Sequence, residues 1–298
     1  MITPDHVLPI WTKYHDALKA PVARFAFPKF GQVFDDTSYQ MGVINMSTDS
    51  VYRESLCHNA DLALYRARKM TVEGARIIDI GAESTGDTAD LVSINRQIDT
   101  MRPVVQALSE EGMLVSVETY HPEVAIPLLE AGAGIINLTG RVDDKAFYED
   151  IARHEGGVIM CYTPGENARS ADDLPPAGDL IDDQLAFFRE RVSLATGAGV
   201  ERLWVDPGFG FALNLRDGEE RVRYQTDSTL QCFRLRELGW PVAVTLTSSV
   251  HLFRDEITSA ETFSAALAVF SKANLLRSHE IAKCEPIIRL LSYDPTGL

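Results

Sequence analysis

The sequence predicts one (β/α)8 barrel of the α/β class, and three observations carry that expectation. Short runs rich in Val and Ile recur eight times, longer stretches with helical spacing separate them, and no Gly-rich dinucleotide fingerprint follows the first run. At 298 residues the chain has the length of such a barrel, which needs about 250.

The runs fall in order at Gln40–Asn45, Arg76–Ala82, Leu114–Thr119, Gly134–Leu138, Val158–Tyr162, Arg202–Gly208, Pro241–Thr247 and Leu275–His279. Most are nearly continuous in apolar residues rather than alternating, as strands covered on both faces should be. Between them, Asn59–Gly74 sets Leu62, Tyr65, Ala67, Met70 and Val72 near one side of a helix. Ile94–Leu108, Pro122–Ala131 and Asp182–Thr196 have the same spacing. Pro122 opens its helix where a missing N–H costs nothing, and Gly74, Gly132 and Gly199 each stop a helix just before the next strand. Residues 1–39 precede the first strand and carry Phe25, Phe27, Phe30 and Phe34; they are expected to cap the floor of a barrel formed by residues 40–298. Thr163–Gly178, polar and with three prolines, is expected to be a long loop after the fifth strand.

Composition removes several function classes. A formal net charge of -15 with no run of Lys and Arg argues against a nucleic-acid partner. No apolar stretch approaches the roughly 20 residues of a membrane span, and the N-terminus lacks the basic-then-apolar pattern of a signal peptide. Cys57, Cys161, Cys232 and Cys284 are far apart, without metal-ligand spacing, and are expected to be reduced thiols. The expected compartment is the cytoplasm.

In this fold the chemistry gathers at the C-terminal ends of the strands. Those ends bring together Asn45, Asp79 with Glu83, Glu118, Asn137, Tyr162, Asp206, Thr247 with Ser248 and Ser249, and Arg277 with His279. Singly, each has a plain structural explanation: Asp79 could cap a turn, Glu118 could begin a helix, and Asp206 before Pro207 could belong to a bend. Jointly they converge on one mouth, where buried polar groups need partners that a ligand can supply. Two carboxylates and a carboxamide match a flat heterocycle edged with N–H donors, because a carboxylate facing adjacent ring N–H and amino groups forms a paired, charge-assisted hydrogen bond. Pterins and guanine-like rings both fit that chemistry.

Several motifs in the chain resemble the dihydropteroate synthase family. MGVINMSTDS is similar to its first signature, with Asn45, Asp49 and Ser50 in register. GARIIDIGAEST is similar to the second, with Gly74, Asp79, Gly81, Glu83, Ser84 and Thr85 in register. VSVETYHPEVAIPLLEAGAGIIN, WVDPGFGF and LLRSHEI resemble later segments in the family's order, so the likeness runs from about Met41 to Leu291. It implies a pterin pocket lined by Glu118, Asn137, Asp206 and Arg277, with Thr247 and Ser249 at the seventh strand. It also implies catalytic positions at Asn45, Asp49, Thr85 and His279, around an anion site for a substrate diphosphate near Asn45, Thr85, Arg277 and His279. The implied cofactor is Mg2+, with Asn45 as its ligand. The implied partners are a pterin and an aromatic amine such as 4-aminobenzoate, in a folate-type pathway, and the implied assembly is a homodimer.

The chain departs from the family's pattern in its cations. Ser249 stands where the family has Lys, Gly86 where it has Arg, Leu213 where Lys is typical, and Glu118 replaces an Asp. Losing a hydrogen bond to a charged group costs about 1.5–3 kcal/mol. Two readings follow: a divergent transferase of this type, or a pterin-binding paralogue that runs another transfer, such as methyl transfer, or binds pterin without catalysis.

Overall fold

A computed structural model describes residues 3–47, 57, 59–84, 90–163, 165–169, 179–209, 218–246, 250–253 and 256–292. Eight parallel strands form one sheet: β3 (Tyr39–Asn45), β4 (Ala75–Gly81), β5 (Val115–Thr119), β6 (Ile135–Leu138), β7 (Gly157–Cys161), β8 (Leu203–Asp206), β9 (Ala243–Thr245) and β10 (Leu275–Ser278). β3 pairs with both β4 and β10, and neighbours follow in chain order from β3 to β8. The seam between β8 and β9 closes by one parallel bridge, Val205 to Val242, with Val205 N donating to Pro241 O at 3.1 Å. Pro241 has no N–H to return, which is why β9 begins two residues later than its apolar run.

The predicted helices are α3 (Ala60–Glu73), α4 (Ile94–Glu110), α5 (Pro122–Glu130) and α7 (Leu180–Gly197). The others on the outer layer are α6 (Lys145–Arg153), α8 (Gly218–Gln231), α10 (Ile257–Phe270) and α11 (Ile281–Leu291). The expected buried face of α3 is corrected. Ala63, Ala67 and Met70 are buried, whereas Leu62 and Tyr65 are exposed and Val72 is 89% exposed. Alanines at i and i+4 let the helix lie close to the sheet, and Met70 at i+7 fits because Gly42 of β3 has no side chain: a Cβ there would sit 2.8 Å from the Met70 sulfur. Gly74 ends α3 at φ +119°, in the left-handed region, and a Cβ there would lie 3.0 Å from Glu285 Oε2. Gly74→Ala is therefore expected to cost about 1–2 kcal/mol of stability; urea denaturation would show this, and an unchanged midpoint would contradict it.

Strand periodicity sorts the side chains into two cores. Ile44, Ile78, Ile80, Val117, Ile136, Val158, Val205 and Leu276 point outward and pack under the helices. Met41, Ile77, Leu114, Ile135, Ile159, Trp204, Ala243 and Leu275 form a separate cluster inside the barrel. The two-stranded hairpin of β1 (Phe25–Phe27) and β2 (Gln32–Phe34) joins this inner cluster. The Phe27 ring stacks on Trp204 at 6.2 Å, and Phe25 and Phe34 meet it edge-on at 4.6 and 5.1 Å. The aromatic residues thus fill the barrel's lower layer, and what occupies the upper layer is decided by the next inward position on each strand.

Candidate active site

Two residues along from the apolar inner layer, the same parity gives Asp79 on β4, Asn137 on β6, Cys161 on β7, Asp206 on β8 and Arg277 on β10, and four residues along from Leu114 it gives Glu118 on β5, paired in register with Asn137. The upper layer is polar because the inward register continues while the residue type changes. Asp79 is fully buried, and Asn137 and Asp206 nearly so. The geometry centres on Arg277: its Nε donates to Asp79 Oδ2 at 2.7 Å, and its terminal nitrogen donates to Glu118 Oε2. Asn137 Nδ2 donates to the same Asp79 oxygen at 3.1 Å, and the Cys161 thiol donates to Asn137 Oδ1 at 3.4 Å. Asp79 Oδ1 is buried without a hydrogen-bond partner. Such an orphaned acceptor in a polar layer is a place for a donor from outside the chain.

Three carboxylates surround one guanidinium, so the layer carries formal charge -2 if all are ionised, and the carboxyl groups respond. Burial pushes the Asp206 carboxyl up to about 7, although Gly208 N–H, which donates to its Oδ1 at 2.8 Å, and Arg277 both pull it down. Burial likewise raises Glu118, against the pull of Arg277 and with the push of Asp79. Burial alone would strip charge from Arg277, but Glu118 and Asp79 hold it above its ordinary range. Burial also pushes the Cys161 thiol well above its usual value.

The structure brings Asn45, Glu118, Asn137, Asp206 and Arg277 to the C-terminal ends of their strands, as the sequence predicts. Asn45 ends β3, and its carbonyl accepts the Cys57 N–H at 2.8 Å, which returns position 57 to the mouth. His279 follows β10. Its Nδ1 lies 2.7 Å from Glu261 Oε1, and Glu261 Oε2 also accepts from the His279 and Glu280 N–H groups and from Ser278 Oγ. Burial would raise Glu261, yet these partners hold its carboxyl below the usual range. Asp49, Thr85, Thr247 and Ser249 lie outside the described residues, as do Gly86, Ser248 and Leu213.

The site contains contacts, and two residues, that the sequence reading does not assign to it. Asp79 stands out as a strand end but not as the anchor of Arg277, because that contact spans 198 positions. Cys161 looks like an ordinary buried thiol in sequence, and Glu261 carries no signal beyond one acid on an apolar helix. For a metal, Asn45 offers one neutral oxygen, and among the described residues no cluster of three His, Cys, Asp or Glu could hold an ion. No helix among them is long and apolar enough to cross a membrane.

Residues 41–275 match a family described as pterin binding enzyme. The dihydropteroate synthase of Synechocystis sp. is 32% identical over 211 residues, which is 70% of each chain. Among solved structures, the Yersinia pestis dihydropteroate synthase with a sulfonamide drug complex superposes at TM-score 0.76 with 24% identity, covering 90% of this chain and 97% of that one. The Xanthomonas albilineans dihydropteroate synthase with 4-aminobenzoic acid superposes at TM-score 0.71 with 26% identity, covering 87% and 94%.

Proposed function

The chain belongs to the dihydropteroate synthase family of pterin-binding enzymes, and from that premise we propose that its barrel mouth joins a dihydropterin methylene diphosphate to an aromatic amine of the 4-aminobenzoate kind. The observation that carries this reading is the polar inner layer of Asp79, Glu118, Asn137, Asp206 and Arg277 directly above an apolar plug. Asp206 and Asn137 read the N–H edge of the ring, and the orphaned Asp79 oxygen accepts a further donor. In the reaction the amine nitrogen forms a bond to the methylene carbon while the carbon–oxygen bond to diphosphate breaks. The electron pair leaves with the diphosphate, and one amine proton is released. The chain contributes by holding both substrates in line and by surrounding the departing charge. Asn45 and His279 serve the anion end; Asp49 and Thr85 are proposed for the same role, and Thr247 and Ser249 for the ring, on the resemblance of their motifs alone. Asn45 fits a Mg2+ ion that arrives with the diphosphate, since such ions take one or two protein oxygens and fill the rest with phosphate and water; the ion would neutralise phosphate charge.

Residues 1–39 serve as the floor cap of the 40–298 barrel, with Phe27 and Phe34 against Trp204 as support. A homodimer is supported by Phe263 and Phe270, one heptad apart on α10 and each about half exposed. Four free, buried cysteines support a reducing compartment, the cytoplasm.

The cation losses favour a second reading, in which the pterin pocket serves a different transfer. Arg277 already answers two carboxylates, and Ser249 is too short and uncharged to replace an ammonium on a four-carbon stem. Wild-type formation of dihydropteroate from the two standard substrates is expected to be slow, and Ser249→Lys with Gly86→Arg to raise it more than ten-fold. Wild-type turnover already fast and indifferent to both substitutions would contradict the charge argument.

A further inference from the structure

α10 carries one charged residue, Glu261, and its carboxylate is fully buried behind the end of β10. A buried carboxylate is costly unless hydrogen-bond donors surround it. Its two oxygens divide the work. Oε2 accepts from Ser278 Oγ at 2.7 Å and from the His279 and Glu280 N–H groups at 2.9 and 3.0 Å, which ties α10 to the turn between β10 and α11. Oε1 faces the His279 ring, with Nδ1 at 2.7 Å. Anchoring the turn needs only the first oxygen; the second makes a carboxylate–imidazole dyad. Although burial pushes the Glu261 carboxyl up, its contacts with His279, Ser278 and Glu280 hold it below the usual range, so it meets the ring ionised.

An ionised carboxylate has no hydrogen to give, so Nδ1 is the nitrogen that bears one in this contact. That fixes the orientation and tautomer of the ring and turns Nε2 to its opposite edge. His279 stands two residues after Arg277, is 14% exposed, and lines a cleft of about 490 Å3 with α3 and the start of α11, so the ring is reachable by a solute. We propose that Glu261 is a positioning residue for the transfer: it holds the Nδ1–H of His279 so that Nε2 meets the substrate's diphosphate as a hydrogen-bond donor. The inference rests on the transferase reading above, which puts His279 at the anion end. With a hydrogen on both nitrogens the ring is a cation between two anions, Glu261 and the diphosphate, and it stabilises the charge that gathers on the leaving group. A neutral amide at position 261 would still anchor the turn. Its oxygen would accept from the backbone N–H groups, and its NH2 would then face Nδ1. Nδ1 would have to accept, so the ring could not keep both hydrogens.

Glu261→Gln separates the two roles. Calorimetric titration of the full chain with pyrophosphate is expected to show binding weakened about ten-fold or more in this variant, the loss of one charge-assisted hydrogen bond. A hydroxymethyl-dihydropterin lacking the diphosphate is expected to bind the variant within about two-fold of wild type. Histidine-15N spectra of the full chain, with the signal assigned through His279→Phe, supply a signature that a purely structural contact would not. Wild-type His279 is expected to carry a hydrogen on Nδ1 when free and on both nitrogens with pyrophosphate bound, whereas Glu261→Gln leaves Nδ1 bare. The wild-type spectra test the inference even where the variant does not fold. It is overturned if Nδ1 is bare in the wild type, or if pyrophosphate does not bind or leaves the Nε2 signal unchanged. It is also overturned if Glu261→Gln binds pyrophosphate within about two-fold of wild type, or weakens both probes equally, because Glu261 would then be only an anchor for the turn. A wild-type chain that shows the dyad and binds pyrophosphate but not the pterin would support the role of Glu261 and contradict the transferase reading.

Discussion

Arg277→Met is expected to cost about 3–5 kcal/mol of folding stability, the usual penalty for removing one partner of a buried ion pair. The substitution keeps a similar apolar stem but leaves Asp79, fully buried, and Glu118, largely buried, without their shared cation. The pH dependence follows from the sign of the Glu118 shift. A carboxyl held above its unfolded value binds its proton more tightly when folded, so its stability contribution is present at low pH and is lost as pH rises through the folded value. Without Arg277 to oppose burial, that value rises further. The variant should therefore be closest to wild type near pH 5 and weakest near pH 8. Urea denaturation at both values measures this, and a loss under 1 kcal/mol at pH 8 would mean that the guanidinium does not hold the layer together.

Asp206→Ala is expected to weaken binding of a reduced pterin by about 2 kcal/mol or more, roughly thirty-fold, by removing a paired charge-assisted contact. Asp206→Asn, which keeps the shape, should lose the charge-dependent part. With the wild-type carboxyl at about 7, the ring's N–H donors meet a proton at lower pH, so affinity should fall as pH drops below 7 and binding there should release a proton. The unliganded protein carries the opposite dependence. Between about 4 and 7 its folded state holds a proton that the unfolded chain releases, so stability declines as pH rises through that window, and Asp206→Asn should flatten the decline. A variant that binds the pterin within two-fold of wild type would place the ring elsewhere.

Much of this architecture was legible because parallel barrel strands are covered on both faces and so appear as continuous apolar runs. The eight runs lie within one or two residues of the eight strands at nearly every end. Period-two register then explains why Asn45, Glu118, Asn137, Asp206 and Arg277 share a mouth. What the sequence could not show is which of these groups already answer one another. Glu118 appears as a ring reader one methylene longer than usual, whereas in the fold that extra length meets Arg277. The contact of Arg169 with the Ser84 carbonyl, 85 positions away, likewise exists only in three dimensions. The buried face of α3 was misjudged for a related reason: hydrophobicity favours Leu62 and Val72, while close helix–sheet packing favours Ala63 and Ala67.

The most direct test of the pterin pocket is a crystal structure of the chain soaked with a dihydropterin diphosphate and 4-aminobenzoate. The account predicts a ring in the barrel mouth with its N–H edge within hydrogen-bond distance of Asp206 and its neighbours Asn137 and Asp79. A ring bound outside the mouth, or an empty mouth at saturating ligand, would contradict it.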